Sequence, residues 1–326
     1  MPKHQVVTHD KWIEARKELL ASTTNPEALA TSSAHPSWLV QRWASQYGLE
    51  MVRHICMYNQ SVPITSIRLR APSAEVELRR EGIEISAGSF LRDARRIVAG
   101  DLTKTKAFTE GRVVIQDEAS QLVAACVGQG KRVLDCCAAP GGKTWAIADR
   151  NPDADIVAVE LHRHRAEVLR KRVLAKNVRV TNADIRDLPI AEPFDRVLVD
   201  APCSGTGTMA RNPEIKWRLK AEDLGDLHGR QLAILQSAMK HVAPSGRLIY
   251  STCSLEREEG EGVVEQAMQD NQSFQVLDLP SKLEGLRANG EFVAQDVKSS
   301  CGPYLRTIPG VHLCDGFFVA MLQRSE

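Results

Sequence analysis

The sequence predicts an α/β protein whose larger part is a Rossmann-like, mostly parallel sheet with helices on both faces. From about Asp135 onward, short apolar runs alternate with longer segments of helical character. That alternation is typical of β-α-β units, because two parallel strands need a crossover connection between them. The predicted parallel strands are RVLDCCA, DIVAVE, VRVTNAD, FDRVLVDAP and GRLIYSTCS, and the runs YLRTIP and GFFVAML close the chain as an antiparallel pair.

The chain before residue 110 is organised differently. Residues 3–22 and the segment HPSWLVQRWASQYG are predicted as amphipathic helices, and ITSIRLR, SAEVELRREG, IEISAG and RRIVAG as strand, helix, strand and strand. We therefore divide the chain into a helical extension (1–34), a small α+β module that positions a substrate (35–110) and a main domain (111–326). The alternative is that the module is only a structural cap.

Composition and charge exclude several classes of protein. With 326 residues, 43% of them hydrophobic and 25% charged, the chain can bury a sizeable core. No apolar run approaches the ~20 residues that span a bilayer, and the N-terminus has no signal-peptide block. Eight cysteines without CxxC or HxxxH spacing indicate reduced thiols in a cytoplasmic protein, with no metal site. A net charge of +1 means that nucleic acid would have to bind local basic patches.

A glycine-bearing turn, CCAAPGGKT, follows the first strand of the main domain. A phosphate loop requires GxxxxGK[ST], but Cys137 replaces its first glycine and Pro140 has no amide hydrogen. A nucleotide triphosphatase is therefore disfavoured. A turn that leads into a helix N-terminus still lets a ligand lie against the backbone. The predicted cofactor contacts in this turn are Cys137, Ala138, Ala139, Pro140, Gly141, Gly142 and Lys143.

Acidic residues end the next three strands. Glu160 ends the second strand, about 20 residues after the glycines, where Rossmann-like folds hold ribose hydroxyls. Asp184 ends the third strand and is predicted near an adenine, and Asp200 ends the fourth. S-adenosylmethionine fits this pattern better than a nicotinamide cofactor, because the G-x-G-x-x-G fingerprint is absent.

Two cysteines follow neighbouring strands. Cys203 lies in DAPCSGTG after the fourth strand, and Cys253 lies in STCS at the end of the fifth. A single cysteine at a strand end usually belongs to the core. Two of them, each flanked by small polar residues, instead predict a pair of thiols at one mouth of the sheet. The cysteines without this context, Cys56, Cys126, Cys301 and Cys314, are interpreted as structural.

The motifs DCCAAPGGKT, DAPCSGTG and STCS resemble those of the RNA cytosine-C5 methyltransferases, and most closely the bacterial RsmB/Sun/Fmu-like branch that acts on 16S ribosomal RNA. The resemblance extends from roughly residue 35 to the end, through HPSWLVQRW, VVIQDEAS, RNPEIKW and DGFFVAML. It implies an S-adenosylmethionine-dependent domain with a seven-stranded sheet whose last strand is antiparallel. Bacterial members usually begin with an all-helical domain similar to the antitermination factor NusB, which we expect to be absent because only about 30 residues precede HPSW.

The resemblance also implies roles for the site residues. Cys253 is the expected nucleophile that attacks carbon 6 of cytosine, Cys203 the residue that assists product release, and Asp200 the contact to N3 as well as a cofactor neighbour. DNA cytosine methyltransferases instead use the cysteine of their Pro-Cys motif as nucleophile, which is the rival assignment. A catalytically silent RNA-binding assembly factor is a further alternative, as is the same chemistry on tRNA or 23S rRNA.

The expected partner is RNA, bound by a protein that is expected to be a monomer. The predicted RNA contacts are basic residues near the site and in the small module: Arg211, Lys216, Arg218, Arg68 and Arg70. The basic run HRHRAEVLRKRVLAK, 162–176, is a further candidate, although the wet face of a helix is often charged without binding anything.

Overall fold

The protein is described by a computed structural model over residues 22–190, 192–294 and 300–326, together with Glu14, Glu18 and Leu20. The helix predicted over 3–22 lies largely outside these residues. Three short helices follow it: α1 (Pro26–Ser33), α2 (Ser37–Tyr47) and α3 (Leu49–Tyr58). The second of them confirms the helix predicted in HPSWLVQRWASQYG.

These helices pack on the main domain, not within the small module. Leu39, Trp43 and Ile55 are fully buried in an apolar cluster that also contains Met209 and Leu255 of the main domain. Removing such side chains from water is the main favourable term in folding, at roughly 1.5–3 kcal/mol each. The segment 26–58 therefore belongs structurally to the main domain, although the predicted division assigned it to the extension and the module.

The small module is a four-stranded antiparallel sheet with two helices. It contains β1 (Ser66–Leu69), β2 (Glu84–Ala87), β3 (Ala94–Ala99) and β4 (Val113–Ile115), with α4 (Ser73–Arg80) and α5 (Lys106–Thr109). The strand order is β2-β3-β1-β4. The predicted sequence of strand, helix, strand and strand is confirmed, but the sheet also takes in β4, so it extends past the boundary predicted at residue 110.

Over the described residues the main sheet has nine strands: β5 (Arg132–Asp135), β6 (Asp155–Glu160), β7 (Val178–Asn182), β8 (Phe194–Asp200), β9 (Val242–Thr252), β10 (Phe274–Leu277), β11 (Ser300–Cys301), β12 (Tyr304–Thr307) and β13 (Phe317–Arg324). Strands β7, β6, β5, β8 and β9 are neighbours in this order and all parallel. Strand β13 is antiparallel to β9, as predicted for the closing strand.

The count of nine strands, where seven were predicted, arises at the outer edge of β13. Strand β12 pairs with the first half of β13 and β10 with its second half, so two short strands share one edge. Strand β11 then forms a hairpin with β12. Strand β12 was predicted as the run YLRTIP, so the two strands beyond the predicted seven are β10 and β11. They have four and two residues, which is too short for a clear signal of alternation in the sequence.

Helices cover both faces of this sheet: α6 (Glu118–Val127), α7 (Gly142–Arg150), α8 (Arg163–Arg172), α9 (Ile215–Arg218), α10 (Asp223–Met239), α11 (Glu261–Asp270) and α12 (Leu279–Ala288). Strand β8 shows how the two faces are filled, because Leu198 joins one apolar cluster while Val197 and Val199 join the other. The predicted α/β class is confirmed. Within the described part of the chain, no helix is long and apolar enough to cross a bilayer.

Candidate active site

The two thiols predicted at one mouth of the sheet do lie there. Strands β8 and β9 are parallel neighbours in which Asp200 is opposite Ser251, so the segments that follow them begin side by side. The Sγ atoms of Cys203 and Cys253 are 3.2 Å apart, and one thiol can donate to the other. Neither side chain is fully enclosed by the protein, so this mouth can present sulfur to a ligand.

The surroundings of Cys203 favour its protonated form. Its pKa is raised well above that of an ordinary thiol, first by the hydrogen bond with Cys253, then by burial and by the negative charges of Cys253 and Glu259. Cys203 therefore keeps its proton at neutral pH and is the natural donor of the S–H···S hydrogen bond.

The cysteines interpreted as structural have a different environment. Burial raises the pKa of Cys56 to about 11 and that of Cys126 to about 12, which leaves both unreactive. Burial also raises the pKa of Cys314. The side chain of Cys301 lies outside the described residues.

A half-buried ion pair connects the glycine turn to the end of β8, from which the Cys203 segment continues. Lys143, in the first turn of α7, donates to Asp200 Oδ2 at 2.7 Å, and Ser251 Oγ donates to Asp200 Oδ1 at 2.8 Å. Burial would lower the pKa of Lys143, but the adjacent Asp200 carboxylate outweighs it and the pKa is raised. The lysine is therefore charged, and the Asp200 carboxylate is held in one orientation at the end of β8.

The turn 137–143 needs glycine for a steric reason. Gly141 has φ +106°, in the left-handed region, and a Cβ there would lie 2.7 Å from a methyl carbon of Val173 and 2.8 Å from one of Leu169. The turn is thus pressed against α8. Its amides are not all free for a ligand, because Ala138 donates its amide to the carbonyl of Val159 at 2.9 Å. The predicted contact at Ala138 is therefore part of the sheet's own hydrogen bonding.

Glu160 has the environment expected of a group that binds hydroxyls. It is 2% exposed and its Oε1 accepts the His162 amide at 2.9 Å, while Oε2 has no hydrogen-bond partner among the described residues. A buried carboxylate with an open acceptor is stabilised by ligand hydroxyls. Glu160 and the turn at Gly141 lie at the carboxyl ends of neighbouring strands, where Rossmann-like folds bind their ligands.

The Asp184 carboxylate, predicted as a cofactor contact, is already hydrogen-bonded to Arg186. The carboxylate accepts both Nε and a terminal nitrogen of Arg186, at 3.0 Å and 2.5 Å, and also caps the backbone amide of Arg186. These hydrogen bonds lower the pKa of Asp184. Contact with an adenine would therefore involve the exposed edge of this ion pair, not a free carboxylate.

Several predicted RNA contacts are instead paired within the protein. Arg68 and Arg70 of the small module both bind the Asp149 carboxylate of α7, at 2.7 Å and 2.6 Å. Arg70 also lies over the ring of Trp145. Because a phosphate would have to displace Asp149, these two arginines are better explained as the link between module and main domain.

Arg211 and Lys216 are likewise occupied. Arg211 binds Asp117 at 3.1 Å and Asp315 at 3.0 Å, and it donates to the carbonyl of Ile64. Lys216 is only 5% exposed. These positions favour a structural role over direct contact with RNA.

Arg218 is the predicted RNA contact that does border the site. A cavity of about 290 Å³ opens beside Cys203, close to the lower limit of about 300 Å³ for small-molecule pockets. Its walls include Cys203, Ser204, Ile215, Arg218, Asp223 and Arg230. A flat ligand in this cavity would have sulfur at one wall and guanidinium groups at another.

The segment that follows Cys253 is held by α2. Trp43 Nε1 donates to Glu256 Oε1 at 2.8 Å, and Arg42 binds both Glu256, at 2.6 Å, and Glu258. The hydroxyl of Tyr47 donates to the carbonyl of Leu255. Sequence reasoning missed this support, although it used the same helix as a family motif.

Two further residues of the site were not predicted. Ser251, the first residue of STCS, orients Asp200 and could have been found from its place in the motif. Glu259 is completely buried behind the two cysteine segments. It lies in the acidic run EREEGE, which has the pattern of an exposed surface, so no sequence signal pointed to it.

Comparison with known proteins agrees with this geometry. Residues 125–323 match the family described as 16S rRNA methyltransferase RsmB/F. The chain is 33% identical over 316 residues to the probable ribosomal RNA small subunit methyltransferase B of Bacillus subtilis, covering 91% of this chain and 68% of that one. It is 30% identical over 316 residues to the ribosomal RNA small subunit methyltransferase B of Xanthomonas campestris, covering 92% and 68%.

Solved structures share the fold. A methyltransferase homolog protein from Pyrococcus horikoshii has a TM-score of 0.74 at 23% identity, covering 90% of this chain and 97% of that one. The structure of NSun6 from the same organism, solved with SFG, has a TM-score of 0.73 at 19% identity, covering 87% and 97%. From the match over 125–323 and the identity to the curated relatives, the chain belongs to the RsmB/F family of 16S rRNA methyltransferases.

Proposed function

We propose that this protein methylates carbon 5 of a cytosine in RNA, with 16S rRNA as the target, through a covalent bond between a cysteine and the base. The observation that carries the proposal is the pair of sulfur atoms 3.2 Å apart, of which Cys203 lines an open cavity. A single thiol would be enough for a nucleophile. A second one at hydrogen-bonding distance is what a reaction needs when it must both form and break a carbon–sulfur bond.

S-adenosylmethionine is the cofactor, and when bound it supplies an electrophilic methyl group. The residues that would hold it are Glu160 for the ribose, Asp184 at the adenine edge and the turn 137–143 for the methionine part. The carboxylate of Asp200 lies between this turn and the thiols, because it accepts hydrogen bonds from both Lys143 and Ser251.

The reaction requires a nucleophile because carbon 5 of cytosine does not attack a methyl group unaided. In the proposed mechanism the Cys253 thiolate adds to carbon 6 and thereby moves electron density to carbon 5. We expect Asp200 to face N3 of the ring, where its carboxylate stabilises the proton that N3 takes up from solvent as the thiolate adds. After transfer, N3 returns its proton to solvent and a water molecule takes the proton from carbon 5. The electron pair left on carbon 5 restores the ring double bond, and the carbon–sulfur bond breaks with its electrons returning to Cys253 as a thiolate.

Cys203 acts in the second half of this sequence. Its proton is held in the hydrogen bond to the Cys253 sulfur, for the reasons given above for its raised pKa. Donation to a sulfur that carries negative charge stabilises the departing thiolate and so favours release of the methylated base.

RNA fits the charge of the surface beside the cofactor turn. Helix α8 and the residues after it expose several basic side chains, Arg170, Lys171, Arg172, Lys176 and Arg179. Arg165 of the same helix donates to the carbonyl of Ala139 in the turn, at 3.0 Å. Phosphates bound there would release counterions, and an unpaired cytosine would enter the cavity at little unstacking cost.

Bisulfite sequencing tests the substrate. The purified protein is incubated with S-adenosylmethionine and either 16S rRNA, 23S rRNA, tRNA or duplex DNA of matched cytosine content. We expect 5-methylcytosine at a specific position of 16S rRNA and none in duplex DNA. Equal modification of duplex DNA would contradict the RNA assignment. Binding of RNA without any methylation would favour a silent assembly factor.

Removing the ribose contact is expected to weaken cofactor binding. Glu160→Ala loses charge-assisted hydrogen bonds worth about 1.5–3 kcal/mol, so calorimetry should show about ten- to a hundredfold lower affinity for S-adenosylmethionine. The matched control is Glu167→Ala on the exposed face of α8, where the carboxylate only pairs with Arg163. If Glu160→Ala binds S-adenosylmethionine as tightly as the unmodified protein does, Glu160 does not contact the cofactor.

A further inference from the structure

Each of the two site cysteines is followed by a serine, and both serines bind the same buried carboxylate. Ser204 Oγ and Ser254 Oγ both donate to Glu259 Oε2, the latter at 2.5 Å. The two hydroxyl oxygens are 3.1 Å apart. The segments after β8 and β9 thus meet at one oxygen atom, one residue away from each thiol.

The other oxygen of this carboxylate is also fully used. Glu259 Oε1 accepts the backbone amide of Ser204 at 2.8 Å and the side-chain amide of Gln231 at 2.8 Å. Gln231 in turn donates to the carbonyl of Pro202 at 3.0 Å. Glu259 therefore contacts the segment around Cys203 directly and through Gln231, while one hydroxyl ties it to the segment around Cys253.

Burying a carboxylate costs desolvation free energy that a neutral side chain of the same size would avoid. Glu259 is 0% exposed, and a buried charge is tolerated only when hydrogen bonds satisfy it. Four donors do so here. Its own position is fixed as well, because the hydroxyl of Tyr250 in β9 donates to the Glu259 carbonyl at 2.8 Å.

We infer that Glu259 is the positioning residue of the thiol pair: a single carboxylate that fixes the spacing between Cys203 and Cys253 through the serines that follow them. The catalytic consequence of this inference rests on the proposed function, but the spacing itself can be measured without RNA or cofactor. The negative charge has a second effect, because it lies nearer the Cys203 segment and opposes ionisation there. The proton is thereby kept on Cys203, and Cys253 is left as the thiol that attacks.

Oxidation of the two thiols to a disulfide provides the measurement of spacing. The diazene oxidant diamide takes up two electrons and two protons from two thiols and becomes a hydrazine, while a sulfur–sulfur bond forms. Its rate reports how often the two sulfur atoms are correctly placed. The product is a peptide pair linked through Cys203 and Cys253, quantified by mass spectrometry after alkylation of the remaining thiols.

Glu259→Gln keeps the size of the side chain but removes the charge and one acceptor. Loss of the charge makes ionisation of Cys203 easier, so each rate is divided by the rate at which a small alkylating agent reacts with the same thiols. On that scale we expect at least about tenfold slower disulfide formation in this variant, since small displacements reduce such proximity effects strongly. The double variant Ser204→Ala/Ser254→Ala should slow it similarly, and adding Glu259→Gln to that double variant should change little more. Glu265→Gln, an exposed carboxylate paired with Arg257, is the matched control and should oxidise normally.

Thermal unfolding is followed for every variant. Oxidation at the normal rate in a folded Glu259→Gln protein would overturn the inference. If Glu259→Gln does not fold, normal oxidation in the folded Ser204→Ala/Ser254→Ala protein would overturn it equally. In methylation assays we expect Glu259→Gln to lower kcat while the KM for S-adenosylmethionine stays unchanged. If the unmodified protein methylates nothing but its oxidation still depends on Glu259, the proposed function fails and the positioning role stands.

Discussion

Cys253→Ala is expected to be inactive and to form no covalent complex with RNA. Without the sulfur at the end of β9, nothing adds to carbon 6, and carbon 5 remains too weak a nucleophile to accept a methyl group. Loss of a nucleophile typically costs a factor of about 10⁴ or more in rate. The measurement is incorporation of radioactive methyl groups into 16S rRNA, with denaturing gels run on the same samples.

The control for this loss is another cysteine outside the site. Cys126→Ala removes a thiol of α6 that is buried in the core. It should lower stability somewhat, since it leaves a small cavity, but it should retain methylation. Retained methylation in Cys253→Ala would show that Cys253 is not the nucleophile.

Cys203→Ala is expected to trap the protein on its RNA. The variant still has Cys253, so it can attack and methylate, but it lacks the S–H group that is hydrogen-bonded to the Cys253 sulfur. The methylated base is then released slowly, and a protein–RNA species that survives denaturing electrophoresis should accumulate to a large fraction of the protein. Turnover should fall to a small fraction of normal while a single round of methylation persists.

The two variants together discriminate between the RNA and DNA arrangements. An adduct that accumulates in Cys253→Ala but not in Cys203→Ala would reverse the assignment and make the cysteine of the Pro-Cys motif the nucleophile. Methylation of the trapped RNA is checked by digestion of the complex and analysis of the nucleosides. If the trapped cytosine carries no methyl group, Cys203 acts before methyl transfer and not after it.

The elements that position the site were predictable because local signals and tertiary structure agree there. Each parallel strand is an apolar run that ends in an acid or a cysteine, and the carboxyl ends of neighbouring parallel strands meet at one edge. That reasoning was enough to bring Cys203 and Cys253 together and to place Glu160 and Asp200 near the glycine turn. The seven-strand count failed because β10 and β11 have too few residues to show alternation.

The parts that were not predictable depend on contacts between distant segments. Arg68 and Arg70 have the sequence character of RNA-binding residues, but Asp149, some eighty residues later, neutralises both. Glu259 lies in a run of acidic residues that is typical of an exposed surface. The hydrogen-bond donors that satisfy its buried carboxylate come from segments that meet only in the folded protein. The sequence shows which residues are charged, whereas the tertiary structure determines which oppositely charged residue each of them pairs with.

The contact between α2 and the segment after Cys253 can form only after both have been synthesised, so it forms late in translation. Trp43 and Glu256 are 213 residues apart in the chain, so translation at about 5–20 residues per second separates their synthesis by roughly 10–40 s. Strand β13, which borders the strand that carries Cys253, is made later still. During that interval the growing chain carries the helix but not the segment that the helix supports. The site is complete only when β13 has been made and has inserted beside β9.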